Sequence, residues 1–216
     1  MARILFLAHR IPYPPNKGDK IRSWHFLEHL CKKNDVHLGC YIDDPRDMVH
    51  VAFLRKHVVS LHYTRVNRTV QKARALAGLL TCAPLTLAAY PKAGLRRYCR
   101  QLINGGHIDL IFLFSGATAP LVMTTDKVPA IPVIGDLVDV DSAKWQAYAD
   151  GAGWPTAPLY QREHRLLAAY EKYIAGASTA TLLVSEDEAT LFRQGLRPEV
   201  AAKVHAVGNG VDLTYF

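Results

Sequence analysis

Three short stretches hold side chains that could do chemistry. The first, His9-Arg-Ile-Pro-Tyr-Pro-Pro-Asn16-Lys17-Gly18-Asp19-Lys20, follows an apolar run and precedes an amphipathic one. Gly18 lacks a Cβ, so a ligand can approach the backbone there, and it can take positive φ. The helix expected to follow offers unpaired N–H groups and partial positive charge, a natural seat for phosphate. Lys17, Lys20 and Arg22 add charge at the same place, and Pro12, Pro14 and Pro15 stiffen the approach. His9 closes the preceding apolar run and faces the same region. This is neither the Gly-x-Gly-x-x-Gly fingerprint nor the Walker pattern, which weakens NAD and ATP readings.

The second stretch, Gly135-Asp136-Leu-Val-Asp139-Val-Asp141-Ser142-Ala-Lys-Trp145, sets three carboxylates after an apolar run. Burying one is costly unless it has a partner or a job. Any of the three could serve as general base toward a hydroxyl, and two or three together could bind a divalent metal. Asp141 or Ser142 is also expected to cap the helix that carries Lys144 and Trp145. The third, Val184-Ser185-Glu186-Asp-Glu188, reads as strand, Ser185 N-cap and a capping-box Glu188.

Other candidates carry less. His25-Phe-Leu-Glu28-His29 matches the inverted zinc-protease pattern. On a helix those histidines share a face with Arg22, Lys32 and Lys33, where a cation would meet three positive charges. That face suits solvent or an anionic membrane surface better. Cys31, Cys40, Cys82 and Cys99 lack metal spacing and suit free thiols in a reducing cytosol. His107 and His164 read as surface or packing residues. No Gly-x-Ser-x-Gly elbow is present, against a serine hydrolase of the α/β-hydrolase kind.

These stretches need elements to hold them. Strands are expected at 3–8, 35–42, 58–63, 109–114, 131–135, 180–184 and 203–207. Helical patterns fall at 18–33, 45–57, 66–81, 93–104, 117–124, 156–176 and 186–195. Asp109-Leu-Ile-Phe-Leu-Phe114 is apolar throughout after its first residue, as in a strand covered on both faces. The alternation predicts an α/β fold: a doubly wound, mostly parallel sheet with helices on both faces. Ligands of such sheets bind beyond the carboxyl ends of the strands. The loops at 9–18, 115–117, 136–142 and 185–187 are therefore the candidate site.

The 216 residues suffice for one sizeable core; half are hydrophobic, about a fifth charged, and the net charge is +7. That charge favours an anionic partner, but the cations form no single tract, so nucleic acid is not expected. No apolar run is long enough to span a bilayer, and the N-terminus reads as a first strand rather than a secretory signal.

Four segments together resemble a known family: Ile4-Leu-Phe-Leu-Ala-His-Arg-Ile-Pro-Tyr-Pro-Pro-Asn-Lys-Gly-Asp-Lys-Ile-Arg-Ser23, Val138-Asp-Val-Asp-Ser-Ala-Lys-Trp145, Leu183-Val-Ser-Glu-Asp-Glu-Ala189 and Val207-Gly-Asn-Gly-Val-Asp212. The chain resembles the N-terminal half of glycosyltransferase family 4. More narrowly, it is similar to bacterial sugar transferases associated with exopolysaccharide and PEP-CTERM/exosortase loci. The resemblance implies a GT-B enzyme with two Rossmann-like domains that retains anomeric configuration and needs no metal or other cofactor. Residues 1–207 would be the acceptor-side domain and 208–216 the start of an interdomain linker. The donor domain, with its Glu-x7-Glu type motif, would lie outside these residues, leaving this chain alone inactive or nearly so.

By the same resemblance, Gly18 matches the glycine that approaches the donor diphosphate and the acceptor, with Asp19 where many members have a second glycine. Ser115-Gly116 stands where many members place a histidine, so no catalytic histidine carries over. Asp139 and Asp141 are then the candidate catalytic carboxylates. His9, Asn16, Lys17, Gly18, Asp19, Lys20, Ser115, Gly116, Ser142, Ser185 and Glu186 are the candidate substrate-binding residues. The expected partners are a nucleotide-sugar donor and a glycan or lipid-linked acceptor, met in the cytoplasm or at the inner face of the plasma membrane. The alternative is a stand-alone, non-catalytic domain that binds an anionic glycan or phosphorylated ligand. A nicotinamide-dependent oxidoreductase would use Asp43 or Asp44 on a ribose, but lacks the glycine fingerprint.

Overall fold

In β1 (Arg3–Ala8), Leu5 and Leu7 enter one hydrophobic core while Ile4, Phe6 and Ala8 enter a second. That period-two split is what a strand covered on both faces requires. The computed structural model describes residues 1–81, 83–124 and 128–210. The readings made for Cys82 and for residues 211–216 fall outside the described residues.

The helical elements are α1 (Gly18–Cys31), α2 (Val51–Leu54), α3 (Arg68–Ala77), α4 (Leu85–Ala88), α5 (Ala93–Asn104), α6 (Asp141–Asp150), α7 (Thr156–Ala177), α8 (Glu186–Gln194) and α9 (Pro198–Ala201), joined by 3-10 turns at Pro45–His50, Gly78–Leu80 and Gly116–Leu121. The remaining strands are β2 (Asp35–Ile42), β3 (Ser60–Arg65), β4 (Leu110–Phe114), β5 (Val133–Val138), β6 (Ala180–Leu183) and β7 (Val204–Ala206).

All seven strands are parallel, in the order β3-β2-β1-β4-β5-β6-β7. The fold is therefore an α/β, Rossmann-like, doubly wound sheet, as the alternation predicts. Trp24 and Leu27 of α1 and Val51 and Leu54 of α2 cover one face; Leu95 of α5, Ile174 of α7 and Phe192 of α8 cover the other. Phe6 opposes Phe112 across the β1–β4 pair, their rings stacked 5.0 Å apart. A Cβ at Gly39 in β2 would come within 2.6 Å of Leu7 Cδ2, so any larger residue there would displace the buried Leu7 side chain.

Several boundaries differ from the sequence expectation. Strand β3 starts at Ser60, two residues later. The helix expected at 45–57 opens as a 3-10 turn behind Pro45 and becomes α2 only at Val51. At 117–124, where Pro120 removes a donor, there is only a 3-10 turn over Gly116–Leu121. The short helices α4 and α9 carry too few residues to show a period. Most consequentially, β5 runs on through Gly135 and Asp136 to Val138, with a register shift between Asp136 and Val138. Asp136 thus lies inside the sheet rather than in the loop after it.

Candidate functional site

The strand order reverses between β1 and β4, which opens a crevice at their carboxyl ends. His9 follows β1 there and stacks on Phe114, the last residue of β4, with centroids 5.8 Å apart. Its Nε2 lies 3.5 Å from Asp19 Oδ2. Its Nδ1 is buried and, among the described residues, has no hydrogen-bond partner.

The loop between β1 and α1 is held from both sides. Tyr13 packs against Phe53 and Trp24 at 4.2 and 5.0 Å between centroids. Arg10 Nη1 donates to Asp19 Oδ2 at 2.6 Å and its Nε to Asp43 Oδ1 at 3.1 Å. His9 first, and then Arg10, hold the Asp19 carboxyl far below the usual range against the opposing effect of burial. Both acids at the end of β2 are engaged: Asp43 by Arg10, and Asp44 by Arg46 and the turn it caps. The ribose-binding acid of a nicotinamide enzyme is thus already bound to protein.

At the loop tip Asn16, Lys17 and Gly18 are exposed, and no side chain caps α1 at Lys17. A Cβ at Gly18 would meet nothing within 4 Å. Its φ is not positive, so the position offers open space rather than a left-handed backbone. The helix start differs from the sequence expectation in charge. Asp19 already sits in the first turn, and its Oδ1 takes the Lys20 N–H at 3.0 Å. Lys20 is buried, its Nζ 2.7 Å from Asp47 Oδ2. Two positions along a helix rotate a side chain by about 200°, which turns Lys20 away from the edge that Gly18 faces. Arg22 is buried too, off the solvated face expected for it beside His25 and His29. Among the described residues, the free cation left at this tip is Lys17.

Arg22 is the hub that sequence reading missed. Its Nε and Nη2 donate to both Asp136 oxygens at 2.8 and 3.0 Å, and its Nη1 to Val207 O and Asn209 Oδ1 at 2.5 and 3.0 Å. Burial pushes the Asp136 carboxyl upward, while Arg22 and the Val138 N–H pull it back. Beside it the backbone is strained: Ser115 at the end of β4 and Val138 at the end of β5 hold φ of 74° and 71°. Non-glycine residues seldom do so, and such outliers gather at functional sites.

The acidic segment after β5 is built differently from its local sequence. Neither Asp141 nor Ser142 caps α6; Val140 occupies that position without a side-chain cap. Carboxylates from other helices satisfy the first turn instead. Glu188 Oε2 accepts from Val140 N at 2.6 Å, and Glu171 Oε1 from Ser142 N at 3.0 Å. Ser142 Oγ donates to Glu171 Oε2 at 2.5 Å. Glu188 therefore does not fold back on Ser185 as a capping box would, although Ser185 Oγ does accept from Glu188 N at 3.2 Å. Glu186 reaches Arg193 and stands outside the pocket described next.

Asp139 and Asp141 share Lys144, at 2.6 and 3.3 Å. With Ser115 and Gly116 they line one small pocket, whose further wall is Thr86, Tyr170 and Glu171. Burial pushes the Glu171 carboxyl up to about 7 in spite of its two bonds from Ser142. Burial also raises Tyr170, whose hydroxyl has no hydrogen-bond partner among the described residues. The pocket thus offers two carboxylates paired with Lys144 and a buried carboxyl able to hold or release a proton near neutrality. Glu171 had a sequence signal. Glu163, Leu167, Glu171 and Ile174 recur at helical spacing on one face of α7, and all four are buried. Glutamates on an apolar stripe need partners elsewhere in the fold. Among the described residues no three His, Cys, Asp or Glu side chains group as a metal site.

No family model matches the sequence, and no curated protein matches it. Among solved structures the chain is similar to Anabaena HepE in complex with UDP and glucose, at 16% identity and TM-score 0.49, over 99% of this chain and 46% of that one. It is similar to a proposed UDP-N-acetylglucosamine 2-epimerase from Listeria monocytogenes at 10% identity and TM-score 0.46, over 94% and 44%. It is also similar to the N-terminal domain of Candida albicans trehalose-6-phosphate phosphatase at 12% identity and TM-score 0.47, over all of this chain and 50% of that one. The chain thus spans about half the length of these solved chains or less. At such scores the likenesses carry no argument about chemistry.

Proposed function

We propose that this chain is the acceptor-side half of a retaining sugar transferase of the GT-B kind, which moves a sugar from a nucleotide-sugar to a glycan or lipid-linked acceptor in exopolysaccharide assembly. The observation that carries the reading is a convergence. Three of the segments that resemble glycosyltransferase family 4 deliver their polar ends to one sheet edge, after β1, β5 and β6, around the β1–β4 crevice. In this reading the open start of α1 at Gly18, with Asn16 and Lys17, faces the donor diphosphate. Lys20 and Arg22 are spent on Asp47 and Asp136, so backbone N–H groups and Lys17 carry the anion.

The acceptor hydroxyl enters the pocket of Ser115, Gly116, Asp139 and Asp141. Either aspartate can take its proton, while Ser142 keeps Glu171 in place behind them. His9, Asp19, Ser185 and Glu186 complete the rim that a donor domain would close. Work occurs in the cytoplasm, against the inner face of the plasma membrane.

The test is transfer from labelled nucleotide-sugars to a lipid extract by the full gene product, beside this 216-residue chain. Sugar transfer that falls with Asp139→Asn or Asp141→Asn is expected from the full product only. No transfer or donor hydrolysis with any nucleotide-sugar would remove the enzyme reading. Equal turnover by the 216-residue chain would remove the two-domain account.

A further inference from the structure

Between Asp47 and Asp109 the chain contains no acidic residue but ten Lys and Arg, from Arg55 to Arg100. The rest of the chain is therefore slightly acidic, and the net positive charge resides in this stretch. Within it stands α3, a helix of ten residues of which none is buried. Asn67 caps it, its Oδ1 accepting from Thr69 N and Val70 N. Its inner side, Gln71 and Ala75, is half-buried, and α3 packs on α4. Its outer side is apolar. At about 100° per residue, Val70, Ala73, Leu76 and Ala77 form one stripe, with Lys72 on one flank and Arg74 on the other. The 3-10 turn that follows adds two exposed leucines, Leu79 and Leu80. Leu76 is 68% exposed and Leu80 92%.

An exposed leucine alone means little. Here the leucines continue a helical stripe, cations bracket it, and neither α3 nor the turn after it carries an acid to repel anionic lipid. The exposed element is also held firmly. Arg162 of α7 donates to the carbonyls of Gly78, Thr81 and Ala83. Its neighbour Glu163, fully buried, accepts from the N–H groups of Leu85 and Thr86. An exposed aromatic stands on the helical hairpin to which it is tied. Trp154, 88% exposed, occupies the turn between α6 and α7, roughly 9 to 12 Å along α7 from Arg162. Tryptophan suits the boundary between water and lipid.

We propose that the apolar stripe of α3 and the Gly78–Leu80 turn lies in the headgroup region of an anionic lipid bilayer, with Lys72 and Arg74 against its phosphates. Interfacial helices of this composition bind through buried apolar area together with attraction to anionic lipid. The inference rests on the proposed function only for what the bilayer delivers. Thr86 and Leu87 of α4, against which α3 packs, line the candidate pocket. A lipid-linked acceptor lying in that bilayer would present its head beside Asp139 and Asp141. The basic face of α1, with His25, His29, Lys32 and Lys33, lacks such an apolar stripe and is not the seat.

The test is flotation of the purified 216-residue chain with vesicles of phosphatidylcholine, with and without phosphatidylglycerol. Binding is expected only to the anionic vesicles. The pair Leu76→Ser with Leu80→Ser, and the pair Lys72→Glu with Arg74→Glu, should each lower it by more than about tenfold. A control pair on α1, Lys32→Glu with Lys33→Glu, should lower it less. No buried residue is changed in α3, so urea midpoints should stay level and separate lost binding from lost folding. Absence of vesicle binding, or binding indifferent to both α3 pairs, overturns the proposal. So does a concentration-dependent dimer that the leucine pair disperses, because the stripe would then seat a second copy. Vesicle binding without sugar transfer keeps this surface and removes the transferase reading; transfer to a soluble acceptor without vesicle binding does the reverse.

Discussion

Arg22 of α1 and Asp136 of β5, separated by 114 residues, share two hydrogen bonds of 2.8 and 3.0 Å in a place where neither is more than 2% exposed. The same guanidinium holds Val207 and Asn209, so one side chain ties the helix after β1, the fifth strand and the segment leaving β7. Removing one partner of such a pair strands the other charge without water. Arg22→Ala should cost about 3–5 kcal/mol in urea unfolding, whereas replacing both partners by apolar residues should recover most of it. A loss below about 1 kcal/mol would mean that Asp136 relaxes or protonates at little cost.

Glu171 gives the fold a pH signature of known sign. Its folded value, about 7, lies above the ordinary carboxyl value, so the folded state binds the extra proton. Its contribution to stability is full below about pH 4.3 and is lost as pH rises toward 7. Glu171→Gln should flatten that segment of the stability–pH curve. The readout is the difference between the Glu171→Gln and parent curves. An unchanged difference across this range would place the Glu171 carboxyl at an ordinary value.

Gly18→Ala adds a methyl group that meets no protein atom within 4 Å. Folding stability should move by less than about 0.5 kcal/mol, as for ordinary surface changes. Transfer by the full gene product should fall, because the methyl group occupies the space left for the ligand. Unchanged kinetics would remove this loop from the site.

Ser115 holds a φ of 74°, where glycine is at ease and serine is not. Ser115→Gly should stabilise the chain by about 1 kcal/mol in thermal or urea unfolding. Transfer should fall at the same time, if the strain positions the pocket wall it shares with Gly116. Stability that drops on this change would show that the Ser115 hydroxyl, 3.4 Å from Ala117 N, matters more than the strain.

Glu163 caps α4 from across the fold. Glu163→Ala should speed amide exchange at Leu85 and Thr86 well before it affects β1 or β4, since those amides would lose their acceptor. Uniform acceleration would mean that this contact is part of the global unfolding unit.

Much of the fold is legible in the sequence because burial has a period. Asp109-Leu-Ile-Phe-Leu-Phe114 reads as a strand covered on both faces, and β4 is one. The pattern at 93–104 gives the bounds of α5. The sequence reading was weaker where partners come from far away. Capping of α6 was expected from Asp141 or Ser142, a rule about neighbours in sequence. The donors of that turn instead meet Glu171 and Glu188, 29 and 48 residues downstream. Likewise Lys20 and Arg22 read as cations beside Gly18, and their directions became visible only once α1 was laid on the sheet.

The sequence by itself determined the alternation of strands and helices, the loops that end at the carboxyl edge, and the missing Cβ at Gly18, since these depend on local residue type and periodicity. Tertiary structure alone decided which charges are spent. Pairing Arg22 with Asp136 and Lys20 with Asp47, placing Glu171 behind Ser142, and leaving the stripe of α3 uncovered all depend on contacts between distant elements. Burial makes an unpaired charge costly, so the fold, and not the local sequence, sets which polar groups remain free to meet a ligand.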